Sequence, residues 1–138
     1  MDPRHWITSF AALMLAPGLL HVAAIRAAAA PHESPFACAV TALDPVARKR
    51  HFEVLGPRLR ALRQAVHELP DGYEFRLPGD PRTVSMVTEW AAGERRCCPF
   101  FDIEIRMERE GGSVWLKLTG REGTKEFIKV DGAAWVEP

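Results

Sequence analysis

The stretch "FFDIEIRMEREGGSVWLKLTG", residues 100–120, carries the decision about fold class. Apolar and polar side chains alternate on both sides of Gly111-Gly112, which is the pattern of a β-hairpin. Phe101, Ile103, Ile105 and Met107 share one face of its first strand, and Val114, Leu116 and Leu118 share one face of the second. A sheet with one apolar face needs a second layer, and the flanking segments supply helical periodicity for it. Upstream, a helix is predicted from about Pro81 to Cys98, ending there because Pro99 disfavours helical geometry at the residue before it. Downstream, "REGTKEFIKV" (121–130) reads as a short closing helix carrying Phe127 and Ile128.

Further from the hairpin the signals continue. "LPDGYEFRLPGDP" (69–81) reads as a turn, a strand and a turn: Asp71-Gly72 turns, and Tyr73, Phe75 and Leu77 alternate with Glu74 and Arg76. Asp44 followed by Pro45 is a helix N-cap with proline at the first helical position. Beyond it Phe52, Leu55, Leu59, Leu62 and Val66 recur at steps of three and four as one apolar stripe. Gly56-Pro57 falls inside that stripe and predicts a kink or brief break, since proline removes a hydrogen bond and crowds the carbonyl of Glu53. "FACAVTAL" (36–43), short and apolar between breakers, predicts a buried strand. The expected order is β-α-β-α-β-β-α. It describes an α+β two-layer sandwich, a mostly antiparallel sheet with helices on one face, spanning residues 36–131. Residues 31–35 read as a linker and 132–138 as a tail.

The whole chain has 138 residues, 47% hydrophobic, with Lys+Arg and Asp+Glu at 18 each. That suits one globular core. Balanced charge gives no reason to expect a nucleic-acid or anionic-membrane partner, because both need a basic excess. The first thirty residues differ in kind. Arg4, an apolar run from about Ile7 to Ile25 and four closing alanines have the layout of a secretory signal peptide, which implies a periplasmic or secreted protein. The alternative is a mis-called start, which would leave a cytoplasmic domain. Pro17-Gly18 interrupt the run, so no lasting membrane anchor is expected once the leader is cleaved.

Two of the three cysteines stand side by side in "EWAAGERRCCPF", residues 89–100. On a helix Val84, Val87, Ala91, Glu94 and Cys98 form one stripe, with Met86, Trp90, Gly93 and Cys97 on the next. The core-facing side therefore ends in two thiols with a carboxylate one turn earlier. A glutamate in that position calls for a partner, which Arg95, Arg96 or a ligand could supply. Gly93, lacking a side chain, lets another group approach Cys97.

The segment from Phe36 to about Lys129 resembles a small bacterial domain family without an assigned activity. The resemblance rests on "FACAVTAL", "ELPDGYEFRLP", "ERRCCPFFDIEI" and "VWLKLTGREGTKEFI", and the doubled cysteine after "ER" is its most specific part. It includes Cys38, Cys97 and Cys98, excludes residues 1–34 and implies no particular chemistry. Gly56-Pro57 departs from its pattern.

Four readings of the cysteines stand open. Cys38, Cys97 and Cys98 could hold a thiophilic metal or metalloid ion, with Glu94 as accessory ligand. They could do thiol–disulfide redox work, one of the pair attacking and Cys38 resolving, although a helix C-terminus opposes thiolate formation. A bridge from Cys38 to one of the pair could be structural, or all three could be small core residues. Adjacent cysteines lack the C-x-x-C spacing of a zinc knuckle. His51, in "ARKRHFE", reads as part of a solvated helix face, and His67 lies where the stripe ends. "LTGREGTKEF" reads as a turn and helix start, without phosphate-loop spacing. The leading expectation is a thiol-based binding module for a soft ion, with metal-site residues Cys38, Glu94, Cys97 and Cys98. The runner-up is a redox protein, and the third is a structural or interaction domain with an unknown protein partner.

Overall fold

Four strands pair in one antiparallel sheet, in the order β1-β2-β4-β3. They are β1 (Ala65–Leu69), β2 (Gly72–Leu77), β3 (Phe101–Met107) and β4 (Val114–Gly120). The structure is a computed structural model that describes residues 33–137; the expected leader, residues 1–30, lies outside them. Alternation sets the two sides of the sheet. Tyr73, Phe75, Leu77, Val114, Leu116 and Leu118 are buried in the core, while Glu104, Arg76 and Arg106 stay in solvent. Helices are layered on the apolar face, so the molecule is an α+β two-layer fold, as the hairpin pattern requires.

The helices are α1 (Pro45–Lys49), α2 (Gly56–Leu62), α3 (Pro81–Cys97), α4 (Thr124–Val130) and α5 (Ala133–Val136). Asp44 caps α1, its carboxylate accepting from the amides of Val46 and Ala47 at 3.0 and 2.9 Å. Asp80 does the same for α3, accepting from Arg82, Thr83 and the Thr83 hydroxyl. These side chains satisfy amides that the first helical turn leaves unpaired. At its other end α3 stops where Pro99 demands it. Cys98 leaves helical geometry while its amide still donates to the Glu94 carbonyl at 2.7 Å.

Between α1 and α2 the chain does not break. Arg50–Leu55 forms a π-helical turn, and the Gly56 amide donates to the carbonyl of His51, five residues back. Pro57 has no amide to offer Glu53, and a widened turn ahead of it relieves the crowding that proline imposes on a helix interior. The expected interruption is thus a change of helical register.

Two elements differ from the sequence reading. "FACAVTAL" is not a strand; its end forms a 3-10 turn at Val40–Ala42. Its backbone instead docks on the end of α3, the Ala39 amide donating to the Cys97 carbonyl at 2.7 Å. Phe36 packs edge-on against Phe100 at 5.2 Å. The segment satisfies a carbonyl orphaned at a helix terminus and so never joins a ladder. The fourth strand is β1, which takes Val66 out of the predicted helical stripe. Ala65–Leu69 pairs with β2, Leu69 facing Gly72 across a Pro70-Asp71 turn. The observed order among the described residues is therefore α-α-β-β-α-β-β-α-α. Beyond residue 131, expected as a tail, α5 places the buried Trp135 in the core with Phe75, Val87 and Trp90.

Among the described residues, no helix is long and apolar enough to cross a membrane.

Candidate functional site

The C-terminal turn of α3 and the π turn face one another, and their side chains build the site. α3 contributes Glu94 and Cys97, both buried, and Cys98 follows at the cap. The π turn contributes His51, which is only 3% exposed. The His51 Nε2–H donates to a Glu94 carboxylate oxygen at 2.8 Å. The Cys97 sulfur lies 3.8 Å from that same carboxylate oxygen and 4.0 Å from His51 Nε2. Three chemically different donors thus meet with almost no water, brought together from positions more than forty residues apart in the chain.

Two features of the local sequence make the approach possible. Gly93 is the first: a Cβ there would stand 2.6 Å from His51 Nδ1, so only glycine lets the imidazole lie flat along α3. Trp90 is the second, its ring stacking on the imidazole at 5.6 Å with planes 9° apart. His51 Nδ1, on the Gly93 side, is buried without a hydrogen-bond partner. His51, expected on a solvated helix face, is instead buried against α3. The widened turn puts it in register with Leu55 and Leu59, which are buried at steps of four, whereas Phe52 is turned outward. The step of four from His51 to Leu55 is the signal that could have found it.

Cys38 and Cys98 form a disulfide across 60 residues. Cys97 is the free thiol. Burial first, and then the neighbouring Glu94 carboxylate, push the Cys97 thiol up to about 12. It is a neutral thiol at ordinary pH, so Cys97 at rest is neither a nucleophile nor a thiolate. Arg95 and Arg96 both reach solvent, and Arg96 donates to the Ala42 carbonyl at 2.6 Å. Neither pairs with Glu94. Glu94 pairs with His51 in place of the arginines or ligand expected from the sequence.

The four residues singled out in the sequence therefore do gather, around Glu94. Ligand atoms of Cys38, Glu94 and Cys98 lie within 4.8 Å of one another, and so do those of His51, Glu94 and Cys97. Comparison with protein-family models, with curated proteins and with solved structures finds no match. What the site does must be argued from its own chemistry.

Beside the cluster lies a cavity of about 320 Å³, bounded by the sheet, α4, α5 and the π turn. Phe52, Trp90, Phe101, Phe127 and Trp135 are the aromatic side chains of its wall. Its polar groups are His51, Arg60, Glu94 and Asp131, together with Cys38 from the bridge. His67 lies apart from all of this, exposed on the outer face of the sheet beside Trp115.

Proposed function

We propose that this domain binds a thiophilic metal ion at the cluster centred on Glu94. The observation that carries the reading is that the Glu94 side chain belongs to two three-donor groups, one with Cys38 and Cys98 and one with His51 and Cys97. Two donors bound to one ion at about 2.0–2.3 Å can be no more than ~4.6 Å apart. The His51–Glu94, Glu94–Cys97 and Cys97–His51 separations of 2.8, 3.8 and 4.0 Å all fall inside that limit. A mixture of sulfur, imidazole and carboxylate suits zinc and its thiophilic neighbours better than hard oxygen-seeking ions.

The bridge divides the donor set. While Cys38 and Cys98 are joined, the thiol, imidazole and carboxylate of Cys97, His51 and Glu94 remain. Reduction of the bridge adds two sulfurs, restoring the three-cysteine set expected from the sequence, with Glu94 as accessory ligand and His51 as a fifth donor. Each cysteine loses its proton on metal binding, so affinity rises with pH. An oxidised bridge also accords with an exported domain, since such bonds persist in oxidising compartments.

Cadmium is the probe for this reading. Titrated into the fully reduced chain, it is expected to bind one ion per chain and to give a thiolate-to-cadmium charge-transfer absorbance. A Cys97→Ser, Cys98→Ser variant is expected to lose that band, and His51→Ala to weaken binding while keeping it. Absence of stoichiometric binding, or binding indifferent to the double variant, would refute the proposal.

A further inference from the structure

The geometry points to a second activity: the cavity admits a small apolar thiol, which reduces the Cys38–Cys98 bridge through Cys38. This requires no metal and stands apart from the ion-binding reading. Three observations carry it. Cys98 is fully buried, and of the three cysteines Cys38 alone lines the cavity. The wall there is mainly apolar and includes five aromatic side chains, and about 320 Å³ is the size of a pocket for a small organic molecule rather than for a peptide. Arg60 lines the same cavity and forms no ion pair among the described residues, its guanidinium lying 5.9 Å from the centre of the Trp135 ring. A cation there favours the thiolate form of an entering thiol, which is the form that attacks, against the Glu94 and Asp131 carboxylates that line the same cavity.

The exchange balances without another reactant. The thiolate attacks the Cys38 sulfur, the bridge breaks, and the electron pair leaves on the Cys98 sulfur, which takes up the proton that the entering thiol lost. A second molecule of thiol then attacks its own sulfur in the mixed disulfide. It releases Cys38 as a thiol and departs as the symmetrical small-molecule disulfide. Two thiols are oxidised and one bridge is reduced. These roles reverse the redox assignment made from the sequence, since Cys38 is the sulfur attacked and the buried Cys98 is the leaving group. Cys97, protonated and enclosed, takes no part.

The test uses the full oxidised chain with chelator present, comparing phenylmethanethiol with 2-mercaptoethanol at equal thiolate concentration. The apolar thiol is expected to open the bridge about tenfold faster or more, because its ring is buried as it attacks. Ala134→Trp, at a cavity-lining position, is expected to erase that preference. Acid-quenched wild-type protein, digested and weighed, is expected to carry the adduct on Cys38. A Cys98→Ser chain, which has no bridge to break, is expected to take up no adduct from the thiol. Equal rates for the two thiols, or an adduct on Cys98 in the wild-type chain, would overturn the inference. The wild-type measurements stand even where a variant fails to fold.

Discussion

Cys97 shows how much one side chain owes to its surroundings. Its neighbour in sequence is bonded to Cys38, yet Cys97 keeps its proton because burial and the Glu94 carboxylate both disfavour the thiolate. This has a consequence for stability against pH. The group titrates near 9.0 when unfolded and at about 12 when folded. Between those values the unfolded chain has released a proton that the folded chain still holds, so stability falls as pH rises. The contribution is fully present below pH 9.0 and is lost by about pH 12. A shift of that size corresponds to no more than roughly 4 kcal/mol. Denaturation followed from pH 8 upward is expected to show a shallower decline for Cys97→Ala than for the wild type, other basic groups titrating equally in both.

Among the elements, the contact between α3 and the π turn matters most for the site. It rests on shape: a flat imidazole lies between Trp90 and the bare α-carbon of Gly93. Gly93→Ala would be neutral or favourable by helix propensity alone. In this fold it drives a methyl into His51 Nδ1, and the ring has the Trp90 stack behind it. The variant is expected to lose about 1–3 kcal/mol by overpacking. Its Cys97 is expected to react with alkylating reagents faster than the wild-type thiol as the two elements separate. A chemical denaturation curve and a labelling time course check both, and an unchanged midpoint would show that His51 moves aside freely.

For the molecule as a whole, the bridge is the link between the segment before α1 and the body of the domain. That segment lacks a place in the sheet and is held by the Ala39 amide, the Phe36 packing and the Cys38 sulfur. Closing a loop of 60 residues in the unfolded chain predicts stabilisation of about 4 kcal/mol. Cys38→Ser, or reduction of the wild type, is expected to lower stability by about 2–4 kcal/mol. The sheet and the main core are expected to survive, because none of their buried residues depends on Cys38. Circular dichroism with and without reductant distinguishes this from global unfolding.

Local pattern was enough for much of this fold. The alternation around Gly111-Gly112, the Asp44 cap and the stop at Pro99 each act through neighbours in the chain, so the hairpin, the first helix start and the end of α3 could be read from residues alone. Helical spacing already put the Glu94 carboxylate and the two thiols at one helix end, whereas the bridge to Cys38 was one of several open readings that only packing decided. Other features depended on partners distant in sequence. "FACAVTAL" is apolar enough for a strand, but no ladder edge is offered to it, and the end of a helix is. Val66 fits the helical stripe, yet β2 supplies a ladder that draws it into the sheet. His51 is polar amid charged neighbours, and only the widened turn before Pro57, together with the gap at Gly93, turns it inward to meet Glu94. Side chains three or four positions apart obey helix geometry, whereas those forty apart meet only when packing brings their elements together.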